Sequence, residues 1–410
     1  MKKLVALVLA VAMLLSLTSA FAEAEKPTLT LWCIATESDA NRPAYEAAIP
    51  AVEEALGVKI EWEAFENDSY KTKIKSTSAE ELPDIFFTWS GAFAGDFAAA
   101  GKIYCLDNEY PNYAADLPEV MLQNSTYDGK HYAVPLTMNI VTLFANMDLL
   151  KEVGYDAVPT TYEDLIACCD ALVAKGIIPF GCSGNATWCV TEYLEPIIEK
   201  TIGYEAMNEI FAGRATWNDP AIATAVDTFQ EMITKGYFDP DGLSLDNDTV
   251  KANFIAGKYA FYQNGSWNCG EINDADGNFQ AALFPVMDAE KATYGQVIGG
   301  PNDALAVSAA SKDPDLAAKA AFALGKEICH YGYLAGSGLP AWTPDYDTSA
   351  VKPLVADVAK MVAESEGMVL FGDNAMSADP ANIYLSYVAK VYGCEIDGAG
   401  FVEALTNELQ

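Results

Sequence analysis

The chain has 410 residues, 51% of them apolar and 11% aromatic, which rules out wholesale disorder and leaves ample material for packed cores. Its 58 acidic residues against 24 basic ones give a formal charge of −34, a field that repels nucleic acid and anionic membrane surfaces and excludes them as partners. Only Arg42 and Arg214 carry the guanidinium fork favoured by carboxylate and phosphate sites, so a neutral or cationic ligand is expected.

The N-terminus reads as a leader. Met1, Lys2 and Lys3 make a short basic start, residues 4–17 are almost wholly apolar, and Ala20-Phe21-Ala22 offers the small-residue pattern cut by signal peptidase. Cleavage is expected after Ala22. The apolar run falls short of the roughly 20 residues that span a bilayer. There is no lipobox cysteine at the cut, the first cysteine being Cys33, so an exported protein of the periplasm or exterior is expected without a lipid anchor. Loss of Lys2 and Lys3 would take the charge to −36.

Beyond the leader, strands are predicted over 28–34, 58–65 and 85–87, with helices over 43–56, 69–78 and 92–100. Gly57 and Gly101 are placed to end two of those helices. This strand–helix alternation predicts an α/β architecture with a parallel sheet, at a length that suits two domains of ordinary size. A second unit follows, with strands over 141–145 and 177–180 around a helix over 161–175. Further helices are expected from Glu192, Pro220 and Asp248, and strands over 259–262, 281–284 and 304–307. A helix is predicted over 314–324, and the rest reads as mostly helical. Ligands of such sheets bind beyond the carboxyl ends of the strands, which singles out Thr36 and Glu37 after the first strand and Trp89 and Ser90 after the third.

Nine cysteines in an exported chain leave at least one thiol over, with Cys182 and Cys189, or Cys168 and Cys169 with partners elsewhere, as candidate bridges. With two histidines, His131 and His330, and no C-x-x-C pair, no metal or other cofactor is expected. The runs around Asp239–Asp241 and Asp274–Asp276 have calcium-loop spacing, yet Tyr237 and Ile272 occupy the first ligand position, so both read as turns. No nucleophile elbow, zincin helix or P-loop occurs, so no enzyme is expected. A secreted glycoside hydrolase, built on two carboxylates, is the rival of a different class.

Several segments carry a family pattern in order: Leu82-Pro83-Asp84-Ile85, Ala100-Gly101-Lys102-Ile103 with Leu106-Asp107, and Tyr132-Ala133-Val134-Pro135. Residues 143–150 and 159–165 continue it, as do Phe254, Gly257, Lys258, Ala260, Asn264, Gly265 and Trp267. Together they resemble the extracellular solute-binding proteins of sugar ABC importers, including the maltodextrin-binding type. Ala145 and Phe261 depart from that pattern at positions that read as core. The resemblance implies a two-lobe periplasmic-binding-protein-like fold with a hinge and a central ligand cleft. Its lobes would be 23–137 plus 297–338, and 138–296 plus 339–410, behind a signal peptide over 1–22. It implies a carbohydrate as ligand, the transmembrane subunits of an ABC importer as partners, and action as a monomer. A polyamine receptor of the same fold is the alternative within the class, with carboxylates meeting the ammonium groups.

The same resemblance implies ligand contacts from Trp267, whose family counterpart stacks on sugar, from Asn139, and from Asn185 and Trp188. Asn302, Asp303 and Trp342 are weaker candidates. Against each stands a plain alternative: a core tryptophan, or an asparagine that satisfies loop backbone. Trp32, Trp62 and Trp217 read as structural.

Overall fold

The computed structural model describes residues 26–409, so the predicted leader and its cleavage point at Ala22 lie outside the described residues. The chain opens with β1 (Thr28–Cys33), α1 (Arg42–Leu56), β2 (Lys59–Ala64), α2 (Asn67–Ser76), β3 (Ile85–Trp89) and α3 (Ala92–Ala99). α1 begins with Pro43 in its first turn and ends at Gly57, whose φ of 65° is the left-handed geometry that favours glycine. β1 lies between β2 and β3 and runs parallel to both, as the alternation of strand and helix predicts.

The architecture turns on β4 (Ala133–Asn146), a 14-residue strand buried along its whole length. The residue pattern alone predicts only its second half, over 141–145, while the family resemblance covers its start at Ala133–Pro135. It is followed by α4 (Tyr162–Ala174), β5 (Ile178–Gly181), α5 (Thr187–Ile202), α6 (Asn247–Ile255), β6 (Tyr259–Gly265) and β7 (Phe279–Ala282). The chain then returns along β8 (Gln296–Val307), antiparallel to β4 from Gly299 opposite Ile140 to Ala306 opposite Ala133. The path through the main sheet is β2-β1-β3-β8-β4-β6-β5. β4 changes partners midway: its first half pairs with β8, whereas Val141–Ala145 pair with β6 and Leu143–Asn146 with β7. One strand thus belongs to two lobes.

β8 begins at Gln296, not at 304, and runs through Gly299 and Gly300. A side chain at Gly299 would sit 2.1 Å from the Asn139 carbonyl oxygen, so the two crossing strands approach as closely as they do only because glycine is there. The register between them is broken by a bulge at Asp303.

The cores follow the partner switch. One cluster gathers β1–β3, α1 and α7 (Pro314–Ala335), with Leu31, Tyr45, Phe86 and Phe322 fully buried. A second gathers Leu143, Phe180, Tyr193, Phe229 and Phe261, and a third Phe144, Phe254, Tyr262 and Leu354. Ala341 and Trp342 pack into the first cluster. The C-terminal part is helical apart from β9 (Leu339–Pro340), which pairs with β4, and β10 (Gly367–Val369), parallel to the start of β8. Those strands are too short to leave a periodic signal. All nine cysteines are free thiols, and Cys168, Cys169, Cys182 and Cys189 are each buried without a disulfide partner. Among the described residues no helix is long and apolar enough to cross a membrane, and no group of metal-ligating side chains is assembled.

Candidate ligand-binding cleft

The ends of β1 and β3 on one lobe face the ends of β5 and β6 on the other across a cavity of about 530 Å³. Seven of the residues singled out from the sequence line it: Thr36, Trp89, Asn185, Trp188, Trp267, Asn302 and Asp303. Each stands at or just beyond a strand end, in the first turn of the helix that follows one, or on a crossing strand, where an open α/β sheet places its ligands.

Four others are not on the wall. The Thr36 amide donates to the Ile34 carbonyl at 2.7 Å, and beyond this tight turn Glu37 is exposed and is not among the lining residues. Ser90 is fully buried, its hydroxyl 3.0 Å from that of Ser125. Trp342 is a core residue whose Nε1–H donates to the Pro135 carbonyl at 2.7 Å. Asn139 is fully buried behind the wall, where it donates to Thr137 Oγ1 at 3.1 Å and accepts from the Ser266 hydroxyl at 3.0 Å. Its amide therefore ties the crossing strand to the loop that carries Trp267, and the demand of its buried polar groups is met inside the protein.

Trp188 and Trp267, both half-buried, form an aromatic surface of the cleft. Their ring centroids lie 5.9 Å apart with planes at 58°, and the Phe371 ring, also on the cavity wall, lies 6.1 Å from Trp267. Gly265 explains how Trp267 gets there: a Cβ at that position would fall 2.0 Å from the indole, so the ring lies directly on the glycine backbone. Trp89 reaches the wall with little of its surface free. It is only 5% exposed, with Phe87 and Phe93 at 4.9 and 5.1 Å. The ammonium of Lys71 sits 4.7 Å from its ring centre, so a face that sequence reasoning offered to a ligand is covered by a cation.

The polar wall includes residues that the sequence reading missed. Glu66 caps α2, accepting from the Asp68 and Ser69 amides at 3.0 Å each. Asp246 caps α6 through the Thr249 amide at 2.7 Å. Both line the cavity, so two helix N-termini point at it. A carboxylate one residue before a helix that starts beside a strand end is the signal that was available. Lys71 and Asp373, from opposite lobes, pair at 2.8 Å across the cleft. Lys251 is held by Glu271 at 2.8 Å. Both lysines that line the cavity thus already have acidic partners, and no lining cation is left for an anionic ligand.

Burial raises several carboxyls of the wall. It pushes the Asp303 carboxyl up to about 7 despite the hydroxyl that Thr137 donates to it at 2.9 Å. It pushes Asp39 up to about 6 against the hydrogen bonds of Asn41. Such carboxyls both donate and accept when protonated, which suits hydroxyl groups.

The sequence profile of bacterial extracellular solute-binding proteins matches residues 47–383. A solved structure from work on xylan utilization by the thermophilic bacterium Caldanaerobius polysaccharolyticus superposes with a TM-score of 0.89 at 31% identity, covering 93% of this chain and 100% of the other. A chitin oligosaccharide binding protein superposes at 0.85 and 22% identity over 94% of this chain and 98% of its own, a likeness of fold. A probable sugar-binding periplasmic protein of Mesorhizobium japonicum is 27% identical over 314 residues, 72% of each chain. With the two-lobe fold, the cleft at the strand ends and a profile match across most of its length, the chain belongs to the family of bacterial extracellular solute-binding proteins.

Proposed function

We propose that this protein captures a neutral carbohydrate, of oligosaccharide size, between its lobes and delivers it to the transmembrane subunits of an ABC importer, acting as an exported monomer with its leader removed after Ala22. The observation that carries the reading is the tilted pair Trp188 and Trp267 on one wall, opposite a rim of carboxyls and amides. Apolar C–H faces of a sugar lie against indole, and its hydroxyls meet Asp, Glu and Asn side chains. The names of the relatives point the same way. The lobes would divide near 137/138 and 296/297, where β4 and β8 cross, and near 342 after Trp342. Ligand that touches both walls favours the closed form by its differential affinity, and the closed pair of lobes is what the importer would read. No residue is required to do covalent chemistry.

Eight carboxylates line the cavity, which keeps a polyamine in view. Five already have hydrogen-bond partners: Glu66 and Asp246 cap helices, Asp39 accepts from the Asn41 amide, Asp373 holds Lys71, and Asp303 accepts from Thr137 and Asn302. The test is a thermal melt with xylotriose, maltotriose, N,N′-diacetylchitobiose, spermidine and glutamate, followed by calorimetric titration. A ligand at a hundred times its Kd adds about 2.7 kcal/mol, a shift of several degrees. A shift with one of the sugars and none with spermidine or glutamate is expected. A shift with spermidine alone keeps the fold and overturns the ligand.

A further inference from the structure

The face of α5 that looks into the cleft carries Trp188, Thr191 and Glu192, the i, i+3, i+4 stripe of one helical side. Glu192 stands one helical turn, about 5.4 Å, along the axis from Trp188. It is 3% exposed, and its Oε2 meets neither solvent nor any hydrogen-bond partner in the protein. Its neighbour one turn deeper is different: Glu195 accepts from the Gly372 amide at 3.2 Å and from the Tyr384 hydroxyl at 3.1 Å. Thr191 is also occupied, donating to the Trp188 carbonyl at 2.6 Å. The turn itself is pinned, because the Gln263 side-chain amide donates to the Glu192 carbonyl at 2.6 Å. Glu192 is thus a rigidly placed carboxyl on the cleft floor with an unmet demand, and such groups are costly unless something supplies their partner.

We propose that Glu192 is a specificity-determining residue of this cleft, its carboxyl pairing with a hydroxyl of the sugar ring held against Trp188 and Trp267. The assignment rests on the carbohydrate reading above. Burial first, then the nearby charges of Glu195 and Asp373, hold this carboxyl well above the usual range, with Lys71 opposing them. A protonated carboxyl donates through its O–H and accepts through its carbonyl oxygen, and a sugar hydroxyl complements both. An amide keeps that pair of functions in nearly the same shape. An aliphatic chain of similar size keeps the packing and removes both.

The experiment is calorimetric titration of the full mature protein with xylotriose, maltotriose and N,N′-diacetylchitobiose, in wild type and in Glu192→Gln, Glu192→Leu and Glu192→Ala. Glu192→Gln is expected to bind within about threefold of wild type. Glu192→Leu and Glu192→Ala are expected to lose roughly tenfold or more, the scale of one buried hydrogen bond to ligand. Unliganded melting temperatures separate this from a structural role, which would move the melt and leave the affinity. Wild-type affinity retained in Glu192→Leu or Glu192→Ala overturns the assignment alone. Failure of wild type to bind any of the three sugars overturns the carbohydrate reading and the assignment with it.

Discussion

Gly265→Ala is the sharpest probe of the cleft, because it adds one methyl group without asking anything of the backbone. Gly265 has φ −69° and ψ 153°, an extended conformation that alanine adopts freely. The added Cβ would nonetheless fall 2.0 to 2.3 Å from three carbons of the Trp267 ring. To reach the 3.4 Å of an ordinary contact the indole must move by about 1.4 Å. Phe371 and Trp188, which also line the cavity, lie at 6.1 and 5.9 Å from the ring, so a displaced indole disturbs the aromatic surface that a sugar would meet. Overpacking of this kind costs about 1–3 kcal/mol of stability. A gap or overlap of this size at the stacking surface forfeits a large part of the contact energy. Affinity for the sugar that shifts the wild-type melt is expected to fall roughly tenfold to a hundredfold, with a melt lowered by several degrees. Calorimetric titration beside a thermal melt reads both. A variant that melts lower but binds as tightly as wild type would refute the role given to Trp267, and one unchanged in both would refute the packing argument itself.

Trp342→Phe is expected to lose about 1–3 kcal/mol, because the Pro135 carbonyl it serves at 2.7 Å is left without its donor, while sugar affinity is unchanged. Denaturant titration and calorimetry check the two halves. Burial raises Glu195 to about 8 and Glu199 to about 7, so both stay protonated in the fold where the unfolded chain ionises near ~4.3. Their stability contribution is whole below the unfolded value and is lost as pH rises through about 7 to 8. Melts at pH 5, 6.5 and 8 should therefore fall with pH, and Glu195→Gln should flatten the slope by an amount on the order of a few kcal/mol; identical slopes would count against the shift. Thiol titration in guanidinium should find all nine cysteines reactive, whereas in the native protein only the exposed Cys394 and half-buried Cys105 should react readily. Fewer than nine under denaturing conditions would reveal a disulfide.

Much of the fold was legible in local pattern. β1 to β3 and the helices between them follow from alternation, prolines and glycine stops, because those signals lie within a few residues of one another. The strand ends then located Thr36 and Trp89 on the cleft wall, since the site rule of open sheets needs only topology, while Trp188 and Trp267 came from the family resemblance. What the local pattern could not say is which partner a segment takes. β4 and β8 read as fragments because each is buried throughout and pairs with different strands along its length, so no alternation survives. The strand expected over 304–307 begins eight residues earlier, and Gly299 within it is where the two strands cross closely.

Side-chain fate was decided by tertiary contact alone. Nothing near Trp89 in the chain announces that Lys71 will cover its face, and nothing near Lys71 announces Asp373, 302 residues away. Asn139 and Trp342 sit in segments of the right kind, yet their polar groups are satisfied inward by Ser266 and Pro135. Glu192 lay hidden among 58 acidic residues, and only its burial on the cleft floor without a partner sets it apart. Composition and periodicity determine where backbone goes because they act locally; the worth of a polar side chain depends on desolvation and partners, and those exist only once the lobes have come together.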